Sequence, residues 1–292
     1  MSSTPETFDL SRGIAIPPRG SSWSLWTRQT LAIMGLEIRK NFLSRRALLL
    51  YPTAAMPLVL LTMLAIFPPD SDEMQNFGML GQVYAAVYGG LILRTLVFFG
   101  CAWVFMNLFR GEVVDRSLHY YFLSPVRREV LVIGKYLSGL IATIVLFSIT
   151  TVASMAILYF GLFPGESQQY FFGGPGAGHM LTYLGVTILA CIGYGAVFLI
   201  LGLFFRNPII PALLLFGWEW INFLLPPLLK KLSVIHYLQS IVPVKMSEGP
   251  FAVLVEPTPA WISVPSLLVF TAIVLFLAGM HIRRMEISYA GD

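Results

Sequence analysis

A polar island, Arg110 to Lys135 (RGEVVDRSLHYYFLSPVRREVLVIGK), interrupts the long apolar runs of this sequence. Within it Glu112, Asp115, Arg116, Leu118, Tyr120, Tyr121 and Leu123 mix charge with large apolar groups. Aromatics beside charges fit the core and polar rim of a protein interface. The same mixture fits a helix lying on lipid headgroups. Two further charges sit deep in apolar runs: Arg94, and Glu219 between Trp218 and Trp220. Charge inside a membrane is expensive and marks a pathway or a buried partner. Counted from the ends of their runs, Arg94 lies about 20 Å in and Glu219 about 15 Å in, at 1.5 Å per residue. In a hydrocarbon layer about 30 Å thick these depths overlap. The two either pair with each other or meet separate partners, and Glu219 is a candidate pathway residue.

Other arrangements of reactive residues do not build a site. A phosphate-binding loop needs G-x-x-x-x-G-K-[ST]. Gly134-Lys135-Tyr136 lacks both the hydroxyl residue and the upstream glycine. The chain is therefore not expected to hydrolyse ATP itself. Gly173, Gly174, Gly176 and Gly178 have no adjacent lysine and read as a flexible loop. His119, His179, His236 and His281 lack the neighbours of a zinc protease motif. Gly165-Glu166-Ser167-Gln168 lacks the second glycine of a serine hydrolase elbow. Cys101 and Cys191 each lie in an apolar run and read as buried structural thiols. No catalytic residue and no metal site is assigned, and no nucleic-acid partner is implied.

The elements that must position these residues are helices in a membrane. Hydrophobic residues make up 57% of the chain and charged residues 12%. A soluble domain carries about twice that charge. Mean hydropathy is +0.76. The expected class is an all-α integral membrane protein, because several runs reach the roughly 20 residues a crossing needs. Spans are expected at 48–67, 81–109, 136–163, 180–205, 209–228 and 261–282, six in all. Residues 1–22 read as a polar tail and 285–292 as a short one. Residues 23–46 read as an amphipathic helix in the membrane interface, with Trp23, Thr27, Leu31, Met34, Ile38 and Phe42 on its apolar stripe. The six-span domain covers 47–284. Lys and Arg set the orientation. One set of loops holds Arg39, Lys40, Arg45, Arg46, Arg110, Arg116, Arg127, Arg128, Arg206, Arg283 and Arg284, with others; the opposite set holds Lys230, Lys231 and Lys245. Both termini and the island are expected on the cytoplasmic side of the inner membrane.

The island also carries a resemblance. Glu112, Asp115, Ser117, Leu118, Leu123, Pro125, Val126, Arg127, Gly134 and Lys135 resemble the pattern E-x-x-D-x-[ST]-L-x-x-L-x-S-P-V-x-R-x-x-x-x-x-x-K that follows the second span of ABC type-2 permeases. Leu201-Gly202-Leu203-Phe204-Phe205-Arg206-Asn207 resembles that family's turn after the fourth span. The resemblance covers about 23–284. It implies six spans, an interfacial helix before the first, and a cytoplasmic coupling helix between the second and third. It also implies short outer helices before the sixth, one of which 229–242 is placed to supply. The implied function is a transport permease, an exporter by family habit, working as a dimer or beside a similar chain. The implied partner is a nucleotide-binding ATPase that holds the ATP and Mg; this chain needs no cofactor of its own. The rival from another class is an ATPase-independent intramembrane enzyme or membrane assembly factor. That rival gains support if Glu219 has a nucleophile or metal beside it.

Overall fold

The computed structural model describes residues 22–44, 47–69, 76–114, 127–205, 207–244 and 258–284. Among the described residues every regular element is helical. The helices are α1 (Ser22–Leu43), α2 (Leu50–Ile66), α3 (Phe77–Ala86), α4 (Phe98–Val114), α5 (Arg128–Leu162), α6 (Pro164–Gly173), α7 (Gly176–Phe204), α8 (Ile209–Trp220), α9 (Pro227–Lys230), α10 (Val234–Ile241) and α11 (Ala260–Arg284). A π-helical stretch, Val87–Val97, joins α3 to α4, so that one rod runs through all three. Asn76 caps the start of α3 by accepting from the Gly78 N–H at 2.9 Å.

Five helices are long and apolar enough to cross a bilayer: Ala47–Ile66, Phe77–Gly111, Arg128–Leu162, Gly176–Phe204 and Ala260–Arg283. Their outward faces carry Leu60, Met63, Val269 and Phe276, while Thr143, Thr150, Ser154 and Thr187 lie buried inside. An apolar outside over a partly polar inside fits a membrane-embedded protein. The run expected at 209–228 is shorter than its composition suggests. It is helical over Ile209–Leu224, tightening to a 3-10 turn at Ile221–Leu224, and the chain leaves the helix before Pro226. Pro226 supplies no N–H to continue the ladder.

The 35-residue α5 is the axis of the molecule. At 1.5 Å per residue it is about 52 Å long. The first two elements run parallel to it. Arg127 faces Trp26, Gly134 faces Ile33, the Thr150 hydroxyl donates to the Ala54 carbonyl, and Gly161 faces Ala65. The 77–114 rod runs antiparallel to α5, with Tyr84 bonded to Thr151 and Ser154 and Leu108 bonded to Lys135. α11 is antiparallel as well, because Arg128 donates to the carbonyls of Ile282 and Arg283. Phe204 at the end of α7 stacks on His281 of α11, 3.9 Å between ring centres. One end of the molecule therefore gathers α1, the end of α4, the start of α5 and the ends of α7 and α11.

One sequence expectation is corrected. The glycine-rich stretch read as a flexible loop is helical over Pro164–Gly173, started by a proline at its first turn and packed through Tyr170, which stacks on Tyr159. The face by which α1 packs on the protein is Trp26, Thr30, Ile33, Glu37 and Asn41. The stripe of Thr27, Leu31, Met34, Ile38 and Phe42 lies about a quarter turn round from it. Leu31 in that stripe is 59% exposed.

Candidate functional site

At the end where the helix termini gather, a buried charge pair joins three elements. The Lys135 ammonium, 0% exposed, donates to Glu37 Oε1 of α1 at 2.9 Å and to the Leu108 carbonyl of α4 at 3.0 Å. The Phe109 ring lies 5.4 Å from the same nitrogen. Glu37 also accepts from Lys40 at 3.2 Å. Burial alone would raise the Glu37 carboxyl, but Lys135, helped by Lys40, outweighs it and holds the pKa below the ordinary carboxylate value. The close approach of α1 depends on Gly134, where a Cβ would lie 3.0 Å from Ile33. Around this pair, Arg127 stacks over Trp26 at 4.6 Å, and Glu129 pairs with Arg283 of α11.

These contacts frame both ends of the island. Of the island residues assigned to coupling, Glu112 falls in the last turn of α4, and its side chain lies outside the described residues. Asp115, Arg116, Leu118, Tyr120, Tyr121 and Leu123 lie outside them altogether.

Deeper in the molecule, at the level of Phe98 and Tyr194, Glu219 is the centre of a second buried cluster. Its carboxylate, in a residue 2% exposed, accepts from Ser233 Oγ at 2.7 Å, the Val234 N–H at 3.1 Å, the Ile235 N–H at 3.0 Å and the Tyr194 hydroxyl at 3.2 Å. It therefore closes the N-terminus of α10, where free backbone N–H groups favour an anion. The chain folds back between α8 and α10 to make this contact, and Asn222 Nδ2 donates to the Lys230 carbonyl inside the bend. Arg94 is buried in the π-helical stretch, its guanidinium 5.9 Å from the Trp220 ring centre. Trp220, beside Arg94, follows Glu219 directly in the chain, which puts the two charges in one neighbourhood.

Farther from the Arg127 end than Tyr194 runs a hydroxyl network that sequence reading missed. Tyr88 OH meets the Tyr183 carbonyl and Thr187, Thr187 meets Thr151, and Tyr84 OH meets the Thr151 carbonyl and Ser154. It ties the 77–114 rod to α5 and α7. Tyr84 and Tyr88, and Tyr183 and Thr187, are each four residues apart. That spacing on one helix face is the signal that would have found them. Cys101 and Cys191 are both buried, as expected of structural thiols. Among the described residues no group of three His, Cys, Asp or Glu comes together as a metal site.

Among the described residues the protein is all helical, with apolar helices that fit a membrane, two buried charged clusters and a separate buried hydroxyl network. No family model matches the chain, and no curated protein matches it.

Proposed function

We propose that this chain is the permease subunit of an ATP-driven transporter of the ABC type-2 kind, working as an exporter from the cytoplasmic membrane. It acts as a dimer, or beside a similar chain, on a pair of separate nucleotide-binding ATPases that hold ATP and Mg. The observation that carries this reading is the frame at the Arg127 end. Lys135, Arg127, Arg128 and Glu129 tie the start of α5 to α1, α4 and α11. The 112–126 segment is thereby slung between two anchored helix ends. A loop that only linked two helices would not need four charged side chains fixing its mounts.

The mechanism follows from that mounting. ATP binding closes the ATPase pair and displaces the docked 112–126 segment. The displacement enters α4 and α5 together, and their separation from neighbouring helices opens a path to the outer side. Six crossings agree with the helix directions. α7 and α11 both end at the Arg127 end, so the chain between them returns to the opposite side through Ile209–Leu224 and the bend. On this reading the Arg127 end is cytoplasmic, and α1 runs beside the first half of α5 with Leu31 turned away from the protein. Glu219 shapes the outer end of the path by holding the bend.

The rival enzyme reading asks for a nucleophile beside Glu219. Ser233 is there, but its hydroxyl donates to a carboxylate already holding two backbone N–H groups, which is the geometry of a helix cap. A tagged chain purified from its own membranes tests the proposal. A Walker-motif ATPase should copurify and the complex should hydrolyse ATP. A chain that purifies folded and alone from those membranes would overturn it.

A further inference from the structure

Where α1 turns into α2, the chain does not close on the rest of the molecule. The last turn of α1, the elbow and the first turn of α2 leave a crevice against α4 and α5, with about 280 Å³ of free space counting its mouth. Its apolar walls are Ala47, Leu50, Val104, Ala142, Leu146 and Phe147. The gap has a local cause: alanines stand on both sides, Ala47 on the elbow and Ala142 on α5, where longer side chains would have met. Protein interiors leave few such gaps, because a wall without neighbours forfeits its dispersion contacts.

One polar group in the lining asks for a ligand. Asn41 Nδ2 is shut off from solvent and has no hydrogen-bond partner among the described residues. A buried N–H without an acceptor is destabilising until one is supplied. The other polar groups of the lining are engaged, Thr143 donating to the Gly139 carbonyl at 3.0 Å and Tyr51 OH to the Phe42 carbonyl at 2.8 Å. Small-molecule sites start at about 300 Å³. The crevice therefore fits one slim apolar group with an acceptor at its end.

The rim defines that group further. The first apolar span begins at Ala47, so the crevice opens at one end of it. Leu43, Leu48 and Leu49 are exposed close by in the chain. Tyr51, 40% exposed with its hydroxyl tethered, is of the amphipathic type that sits at headgroup level. Arg39 and Lys40 are exposed in the last two turns of α1. Residues 36–51 hold four basic side chains and one acid, Glu37, which the buried Lys135 already neutralises. A positive rim over an apolar slot complements an anionic lipid.

We propose that this crevice binds one anionic phospholipid. An acyl chain enters beside Leu50, Leu146 and Phe147, Asn41 Nδ2 donates to an ester carbonyl, and the phosphate lies by Arg39 and Lys40. The site needs only that the chain is embedded in a membrane, and it stands or falls apart from the permease reading.

The full chain, purified and stripped of lipid in detergent, is titrated with phosphatidylglycerol or phosphatidylcholine of the same acyl chains and weighed by native mass spectrometry. The parent should hold one phosphatidylglycerol, at least about tenfold more tightly than phosphatidylcholine, as two basic side chains would give. Arg39→Gln with Lys40→Gln should erase that preference and leave phosphatidylcholine binding unchanged. Asn41→Leu should weaken both lipids alike, and Ala142→Phe, which fills the slot, should abolish the tight adduct. Equal parent affinities for the two lipids overturn the proposal, as does a folded Ala142→Phe that keeps the adduct. Should Ala142→Phe not fold, the parent decides alone. Phosphatidylglycerol with a diazirine in its acyl chain, photolysed with the parent in vesicles, should insert into 41–51 and 142–147. Unlabelled phosphatidylglycerol should compete and phosphatidylcholine should not. Insertion spread evenly over the exposed faces of α2 and α11 would show bulk lipid only and overturn the site.

Discussion

Glu219 offers the most direct test of the outer cluster. Four donors converge on one carboxylate: Ser233 Oγ, Ile235 N–H and Tyr194 OH on Oε2, and Val234 N–H on Oε1. Glu219→Gln can place its amide oxygen where Oε2 stands, and its NH2 then faces the Val234 N–H. One buried donor is left without an acceptor, about 1–3 kcal/mol. The anion at the N-terminus of α10 is lost as well, about 0.3–2 kcal/mol. Together these give a loss of about 1–5 kcal/mol. Glu219→Leu strips all four donors and should lose at least about 4 kcal/mol. At about 2 °C per kcal/mol for a chain of this size, the melting point should fall by about 2–10 °C for Gln and by at least about 8 °C for Leu. The assay is thermal melting in detergent, read by a thiol dye that reaches the buried Cys101 and Cys191 only on unfolding. Variants that both melt with the parent would refute the capping role. A second outcome bears on Arg94. Losses from Glu219→Gln and Arg94→Gln that add to within about 0.5 kcal/mol would show two independent sites. A double variant more stable than either single would show a direct pair instead.

Gly202 should tolerate no side chain, because a Cβ there would meet the Met106 backbone at 2.9 Å; Gly202→Ala should lose about 1–3 kcal/mol in the same melt, while Gly178→Ala, with open space around it, should lose nothing measurable. The Glu37 carboxyl titrates below its ordinary value of 4.5, so its contribution is complete above that pH and is lost as pH falls through the lowered value; proteolysis within α1 should be flat from neutral pH to 5 and should rise on further acidification in the parent but not in Glu37→Gln. Reversing both Glu112 and Asp115 to lysine should prevent copurification of the ATPase or uncouple its hydrolysis from transport, with losses of about 2–5 kcal/mol if the partner charges are buried; normal transport by that variant would place docking elsewhere.

The apolar runs made the helices legible, since a stretch such as 176–204 has few polar residues to interrupt it. Arg94 and Glu219 stood out for the same reason, as charges where none belong. What the sequence hid was partnership and shape. Glu37 looks like a surface residue of an amphipathic helix, and its partner Lys135 is 98 positions away. The 209–228 run scores as a crossing because Leu224, Leu225, Leu228 and Leu229 continue the apolar count; only the backbone constraint of Pro226 ends the helix. The 164–173 helix carries loop composition and is set by tertiary packing of Tyr170 against Tyr159 and Phe77. Tyr84 and Tyr88 count as apolar in a hydropathy scale, so a network built from their hydroxyls leaves no trace in it.

The π-helical stretch between α3 and α4 sets a limit on how the rod that contains it can move. Its upper part is held by Tyr84 and Tyr88, and its lower part by Lys135 at Leu108. A rod clamped at both ends cannot slide, but its winding can change. Eleven residues wound five to a hydrogen bond can rewind at four, and each residue of offset turns the helix by about 100°. With the ends fixed, that turn appears in the middle, where Arg94 sits. A rewinding of the Val87–Val97 stretch would turn Arg94 beside Trp220.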